Sequence, residues 1–208
     1  MSANEKTKQL TMRILNFLRG NVDGDCLTYV AAEVAYLMSQ LFDKQINDES
    51  GFYDFINALD CSLELKESLC EDAKKLGLWQ TLRAYQGMFS AADSFGVIAE
   101  CANHPEISNF SVPASIVPLV VKLVSSEPGG LMADLACGRG TVLAEALKQD
   151  SDLKAVGVDI NQKTVNFAEM AVSPYGWRGL IKCESAFDYV ENQYAWYDKV
   201  FCYPPFGL

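Results

Sequence analysis

Apolar residues in the first half of the chain recur at intervals of three and four, which is the spacing of one face of an α-helix. The clearest run contains Val30, Val34, Leu37 and Leu41. The predicted helices cover 7–19, 25–43, a segment that opens at Ser62, and 78–101. The pattern therefore predicts an all-helical domain over residues 1–104, and we expect its last helix to be interrupted near Gly87 or Gly96.

The second half changes to short apolar runs that alternate with helical segments. The runs predict strands near 131–135, 155–159, 180–183 and 197–202, with helices over 141–149 and 163–171. Strands that alternate with helices form a parallel sheet whose functional residues gather at the carboxyl ends of the strands. We therefore predict an α/β domain over residues 105–208, with four parallel strands in the order 3-2-1-4 and right-handed crossovers between them.

A glycine-rich turn follows the first predicted strand. Residues 134–140 read Asp-Leu-Ala-Cys-Gly-Arg-Gly and lie directly before a helix, which is typical of a cradle for a nucleotide-containing cofactor. Gly138 and Gly140 allow a close approach of ligand to backbone, because glycine has no Cβ. A carboxylate at Asp134 would repel a pyrophosphate, whereas S-adenosylmethionine carries a cationic sulfonium and ammonium group. Asp134 therefore favours S-adenosylmethionine over NAD; its alternative role is a simple strand-end cap.

Acidic residues also end two later strands. Asp159 lies about twenty residues beyond the glycines, where a carboxylate can accept hydrogen bonds from both ribose hydroxyls. Glu184 follows the third strand and is either an adenine contact or a solvated turn residue. After the fourth strand, residues 203–206 read Tyr-Pro-Pro-Phe. The stiff Pro-Pro either ends the strand or places an aromatic ring for stacking on a flat base.

Five segments in this order resemble the motifs of N6-adenine-specific DNA methyltransferases, most closely the modification (M) subunit of type I restriction–modification systems. The segments are 110–113 with the apolar helix that follows, 134–140, 158–160, Glu184 and 204–207. The helical first half resembles that family's N-terminal domain in general character. The resemblance implies a Rossmann-like S-adenosylmethionine-dependent methyltransferase sheet, truncated after its fourth strand and preceded by an all-helical domain.

The resemblance also implies roles for individual residues. Cofactor contacts fall on Phe110, Val112, Pro113, Asp134, Ala136, Cys137, Gly138, Gly140, Asp159, Ile160 and Glu184. The catalytic segment comprises Tyr203, Pro204, Pro205 and Phe206. The implied reaction is methyl transfer from S-adenosylmethionine to the N6 amino group of adenine in DNA. The implied partners are DNA, bound only as part of a larger complex, together with specificity and restriction subunits.

Two departures from the family pattern predict a chain that is inactive alone. The family's catalytic segment begins with Asn or Asp, which accepts a hydrogen bond from the target amine. Tyr203 places its oxygen too far out for this, so it either removes activity or makes a different substrate contact. The chain also stops at Leu208, before the further strands and target-recognition elements of a complete methyltransferase.

An early end leaves the fourth strand at a sheet edge. We expect this edge to be covered by a second copy of the chain, by the N-terminal helices or by a C-terminal continuation. Two further functions therefore stay open beside DNA methylation. One is a non-catalytic S-adenosylmethionine-binding or assembly module, and the other is a methyltransferase that acts on RNA or protein.

Charge and cysteine content restrict partners and environment. The 208 residues include 17 Lys and Arg against 27 Asp and Glu, a net charge of −10. This chain is expected to bind DNA poorly by itself, because DNA affinity depends on Lys and Arg contacts to phosphates. The seven cysteines include no Cys-x-x-Cys pair, and His104 is the single histidine, so we expect no metal site. The absence of a signal peptide and of a membrane-spanning run predicts a cytoplasmic protein without membrane contact.

Overall fold

The computed structural model of the chain describes residues 3–85, 90–102, 112–125, 127–192 and 196–204. The chain divides into two units, Met1–Cys101 and Ala102–Leu208. The sequence-based boundary between residues 104 and 105 lies outside the described residues.

In the part of the first unit that the structure describes, six α-helices follow one another. They are α1 (Ala3–Leu18), α2 (Leu27–Leu41), α3 (Glu49–Asn57), α4 (Leu63–Leu76), α5 (Leu78–Tyr85) and α6 (Ala91–Ala102). Helix α2 is buried around most of its circumference, as expected of a helix at the centre of a bundle. Helix α1 packs against α2, and α4 packs against α3 and α5.

Capping explains where two of these helices begin. The Oγ atom of Ser62 accepts a hydrogen bond from the backbone N–H of Leu65, 3.2 Å away, so α4 begins where the sequence predicts. Helix α3 was not predicted, because it is short and contains a glycine. It is stabilised by a cap from Asp48 and by burial of Phe52 and Ile56.

The helix predicted over 78–101 is two helices, α5 and α6. Gly87 lies outside the described residues, and Gly96 lies within α6 and does not interrupt it. A Cβ atom at Gly96 would lie 2.8 Å from Oγ1 of Thr7 in α1. Glycine is therefore needed here for the close approach of α1 to α6. Among the described residues, no helix has the length and apolar character to cross a bilayer.

The second unit contains a parallel sheet with the strand order β3-β2-β1-β4. Its strands are β1 (Leu131–Asp134), β2 (Lys154–Asp159), β3 (Gly179–Cys183) and β4 (Lys199–Phe201). Its helices are α7 (Val117–Val124), α8 (Thr141–Gln149), α9 (Gln162–Val172) and α10 (Ala186–Asn192). The predicted fold class and strand order are confirmed, and the strand limits agree to within two residues.

Register brings the carboxyl ends of the four strands to one edge. Asp134 of β1 pairs with Gly157 of β2 on one side and with Phe201 of β4 on the other. Asp159 of β2 lies opposite Cys183 of β3. The side chains that follow these positions therefore meet above the same edge of the sheet.

The opposite, amino edge is closed by two cationic side chains. The Arg178 guanidinium donates hydrogen bonds to the backbone carbonyls of Leu147 (3.3 Å), Asp150 (2.9 Å) and Leu153 (3.4 Å). These carbonyls lie at and beyond the end of α8, where a helix leaves acceptors unpaired. The Lys199 ammonium donates to the carbonyl of Gly129. Both cations therefore stabilise the fold at the amino edge of the sheet, away from the carboxyl ends of the strands.

Candidate functional site

The glycine turn after β1 is tied to the end of β2. The Cys137 N–H donates to the carbonyl oxygen of Val158 at 2.9 Å, and the Gly138 N–H donates to Oδ2 of Asp159 at 3.1 Å. The other carboxylate oxygen of Asp159, Oδ1, accepts from the Asn161 N–H at 2.9 Å. One carboxylate thus fixes both the turn after β1 and the first residues of the loop after β2.

The two glycines of the turn serve different purposes. Gly138 has a φ of +53°, and no atom lies within 4 Å of the position that a Cβ would take. The backbone is therefore open to a ligand at this point. Gly140 is buried with a φ of +74°, and its Cβ would lie 3.1 Å from Cβ of Ala168 in α9. Gly140 therefore allows the turn to pack against α9.

Asp134 is almost completely buried at the end of β1, with 1% of its surface exposed. Its Oδ1 atom accepts a hydrogen bond from the Ala136 N–H at 3.2 Å. The pKa of Asp134 is raised to about 7, chiefly by burial; the bond from Ala136 opposes this shift, and the nearby Asp159 charge adds to it. The carboxyl group is therefore buried at the start of the turn and is not exposed to solvent.

A cavity of about 720 Å³ opens along the carboxyl edge of the sheet. It brings together five residues with predicted site roles: Ala136, Asp159, Ile160, Glu184 and Pro204. Its surface is mainly apolar, three carboxylates contribute to it, and the described lining residues include no Lys or Arg. Among the described residues, no group of three or more His, Cys, Asp or Glu is arranged to hold a metal ion. The cavity therefore suits a flat, partly apolar ligand that carries positive charge.

Other predicted residues lie outside this lining. The Cys137 side chain faces the hydrophobic core, and burial holds the pKa of its thiol well above the usual value. Val112 packs against the same core, and the carbonyl of Pro113 accepts the N–H groups that begin α7. Tyr203 is 36% exposed and stands between two lining residues, Cys202 and Pro204. Phe110, Pro205 and Phe206 lie outside the described residues.

Helix α10 forms one wall of the cavity, and this helix was not predicted from the sequence. Helix α10 places Phe187 and Val190 in the cavity lining, and the Phe187 side chain is 82% exposed. The Phe187 N–H donates to Oγ of Ser185 at 3.3 Å, at the start of the helix. The signal was available, because Ser185 and Asp188 have the Ser-x-x-Asp spacing of a helix start.

Residues 117–207 match the family model of the methyltransferase small domain. The match begins at α7 and includes all four strands. A search of curated protein sequences finds no match to the chain.

A solved structure has a similar fold. It is a Listeria monocytogenes protein assigned provisionally to the class I S-adenosylmethionine-dependent methyltransferases. The two chains share 16% sequence identity, with a TM-score of 0.54. The alignment covers 96% of this chain and 58% of the Listeria chain, so this chain spans little more than half of that protein's length. The likeness shows a Rossmann-like methyltransferase sheet preceded by a helical region.

Proposed function

We propose that the chain is an S-adenosylmethionine-dependent methyltransferase. The family match and the structural neighbour imply S-adenosylmethionine as the cofactor. The observation that carries the proposal is the position of the Asp159 carboxylate. It ends β2 at the mouth of a large cavity and is bonded to the open glycine of the turn after β1.

The residues of the cavity fit each part of this cofactor. Each carboxylate oxygen of Asp159 accepts one backbone N–H, which leaves acceptor capacity for the ribose hydroxyls. Ile160 and Phe187 are largely exposed and offer apolar faces to an adenine ring. Glu184 also lines the cavity and offers an acceptor for an amino group. Outside the lining, the open backbone at Gly138, which is bonded to Asp159, leaves room for the amino-acid portion.

In methyl transfer, the main contribution of the protein is to position the two reactants. S-adenosylmethionine supplies an already activated methyl group when it is bound, so a correctly oriented acceptor provides most of the rate. Helix α10 offers an apolar surface beside the reacting centre, and the strand-end carboxylates stabilise positive charge. Tyr203 and Pro204 follow β4 at the side of the cavity, where an acceptor would enter.

For the acceptor, we propose the N6 amino group of adenine in DNA, on the strength of the resemblance of residues 204–207. The phosphate contacts would come from other subunits, because the described cavity lining brings no cation. Tyr203 stands where the family has Asn or Asp. Wild-type protein is therefore expected to bind the cofactor and to leave DNA unmethylated on its own.

A transfer assay tests the acceptor. Labelled S-adenosylmethionine is incubated with unmethylated DNA, with RNA or with a protein extract, using wild type, Tyr203→Asn and, as the matched control, Tyr203→Phe. With each protein made as a chain lengthened beyond Leu208, we expect Tyr203→Asn to label DNA at least about tenfold above the other two, because it restores an amide acceptor. Label that enters RNA or protein instead would contradict the DNA proposal and leave the methyltransferase proposal in place.

Tyr203 also favours a second function, a non-catalytic S-adenosylmethionine-binding module. The Tyr203 phenol does not provide the short side-chain acceptor that would bind the target amine. The residues proposed to bind the cofactor, Asp159 and the glycine turn, are present and bonded to each other. Cofactor binding by wild type, together with no transfer by wild type or by Tyr203→Asn to any of the three substrates, would support this function over catalysis.

A further inference from the structure

No cationic group is among those that shift the pKa of Asp134. The titratable groups around it are Asp159 at the end of β2, Cys137 in the glycine turn and Cys202 after β4. The Asp159 carboxylate disfavours a second negative charge on Asp134, and the two thiols carry no positive charge that would balance it. The Ala136 N–H is the hydrogen bond that favours the charged form.

Four cations of the second unit contact other groups. At the amino edge, Arg178 and Lys199 donate to backbone carbonyls, and the Lys154 ammonium lies 5.0 Å from the centre of the Trp177 ring. The Arg139 guanidinium follows the turn but lies 5.0 Å from the centre of the Phe167 ring. The positive charge that would balance a buried carboxylate at Asp134 is therefore left for a ligand to supply.

The position of Asp134 suits this role. The two residues that follow it, Leu135 and Ala136, line the cavity, and its charge acts on the Cys202 thiol, which also belongs to the lining, so the carboxyl group lies close to the cavity. With 1% of its surface exposed, it has little water around it to stabilise charge. Its pKa of about 7 means that it carries a proton over much of the acidic to neutral range. A cation at the wall would shift that balance toward the carboxylate.

We propose that Asp134 is a positioning residue that loses its proton when the cationic cofactor enters the cavity, and that its carboxylate then holds the glycine turn through the Ala136 N–H. The inference rests on the proposed function. In this step the O–H bond of the Asp134 carboxyl breaks, its electron pair stays on oxygen and the proton passes to the buffer. The bond from Ala136 becomes charge-assisted and therefore stronger.

Proton linkage sets the size of the effect. If the complex holds Asp134 ionised, binding releases close to one proton per ligand below the pKa of Asp134, and fewer as the pH rises past it. The affinity for S-adenosylmethionine then increases up to about tenfold for each pH unit below this pKa, and the increase levels off above it. A carboxylate that merely supports the turn, without changing its protonation, gives neither effect.

The experiment is isothermal titration calorimetry of the full chain with S-adenosylmethionine at about pH 6. Pairs of buffers with different ionisation enthalpies give the number of protons released. Asp134→Asn should bind without proton release and with a pH-independent affinity. Asp152→Asn is the matched control, because Asp152 is exposed in the loop before β2 and lies outside the cavity lining; it should keep the wild-type release. 5′-Methylthioadenosine, which lacks the sulfonium and the amino-acid charge, should bind to wild type without release.

Each other outcome has a distinct meaning. Binding to wild type without proton release contradicts the inference and leaves the proposed function intact. Release that persists in Asp134→Asn assigns the proton to another group and also contradicts the inference. No binding by wild type over the whole pH range contradicts the proposed function and the inference together. The wild-type proton count decides the question even where Asp134→Asn does not fold.

Discussion

The carboxylate of Asp159 accepts a hydrogen bond from the backbone N–H of Gly138, 3.1 Å away. The contact joins the ends of two adjacent strands, so it orders the glycine turn after β1 against the end of β2. Asp159 is therefore placed both to shape the glycine turn and to bind what lies against it.

Replacing Asp159 by alanine should weaken S-adenosylmethionine binding. The change leaves the Gly138 N–H without its acceptor and removes the proposed acceptor for the ribose hydroxyls. We expect a loss of about 1–3 kcal/mol, or roughly 5- to 150-fold in Kd, by calorimetry at neutral pH. Asp152→Asn controls for the change in net charge and should bind as wild type. Equal Kd values for wild type and Asp159→Ala would exclude this carboxylate from the site.

Alanine at the two glycines of the turn should have unequal effects on stability. At both positions φ is positive, which costs a residue with a Cβ about 1–2 kcal/mol. At Gly140 the new methyl group also meets Ala168 at 3.1 Å, whereas at Gly138 it points into open space. We expect Gly140→Ala to lower the free energy of unfolding by about 2–4 kcal/mol, and Gly138→Ala by about half as much. Urea denaturation measures both, and the reverse order would show that the turn packs differently.

Gly138→Ala should instead have the larger effect on the ligand. Its methyl group would occupy space beside the exposed backbone of the turn, where we place the cofactor. We expect its affinity for S-adenosylmethionine to fall by at least about tenfold while the protein stays folded, a loss of about 1.4 kcal/mol. Unchanged affinity would place the ligand away from this part of the turn.

Arg178→Met should destabilise the second unit. The guanidinium donates to three carbonyls near the end of α8, and methionine keeps the length of the side chain without the donors. We expect a loss of about 2–4 kcal/mol in the free energy of unfolding by urea denaturation. Arg178→Lys should recover less than half of this, because an ammonium lacks the planar, forked donors. Full recovery by lysine would show that charge alone is what matters here.

In the first unit, Glu33 should make stability fall as pH rises. It is 1% exposed in α2, and its Oε1 accepts from the Ser68 hydroxyl at 2.6 Å. Burial, together with the nearby Asp72, raises the pKa of Glu33 well above its usual value. The folded state therefore keeps a proton that the unfolded chain has lost, and stability is lost between the unfolded and the folded pKa.

Glu33→Gln removes this dependence and keeps the shape of the side chain. Wild type should lose up to about 1.4 kcal/mol of stability per pH unit in this window, whereas the variant should lose less. Urea denaturation at about pH 5 and about pH 8 gives the comparison. Parallel pH profiles for the two proteins would show that Glu33 ionises in the folded state as readily as in water.

The sheet was predictable because its signals are local. Each strand is a short apolar run, and the glycines at 138 and 140 mark the turn by composition alone. The helix that contains Phe187 was not predicted, because its seven residues are too few for a periodic pattern. Helix α3 was missed for a similar reason, since it depends on a cap and on tertiary burial.

The site was predictable in part. The sequence predicted that Asp159, Ile160 and Glu184 lie near one another, because parallel strands bring their carboxyl ends to one edge. It could not show that Asp159 bonds to the turn, or that Asp134 is buried behind it. Those facts depend on side-chain directions and on packing between segments that are distant in the chain.

The strand order has a consequence for the way the chain assembles. Strands β1, β2 and β3 are neighbours both in the chain and in the sheet. Strand β4 comes last in the chain but pairs with β1, on the side of β1 opposite to β2. The Leu131 N–H finds its acceptor on Asp198, 67 residues later. Closing so long a loop is slow compared with pairing nearby strands. During synthesis, the glycine turn and Asp159 can meet before Cys202 and Pro204 have emerged, so the cofactor side of the cavity forms first and the acceptor side is added to it.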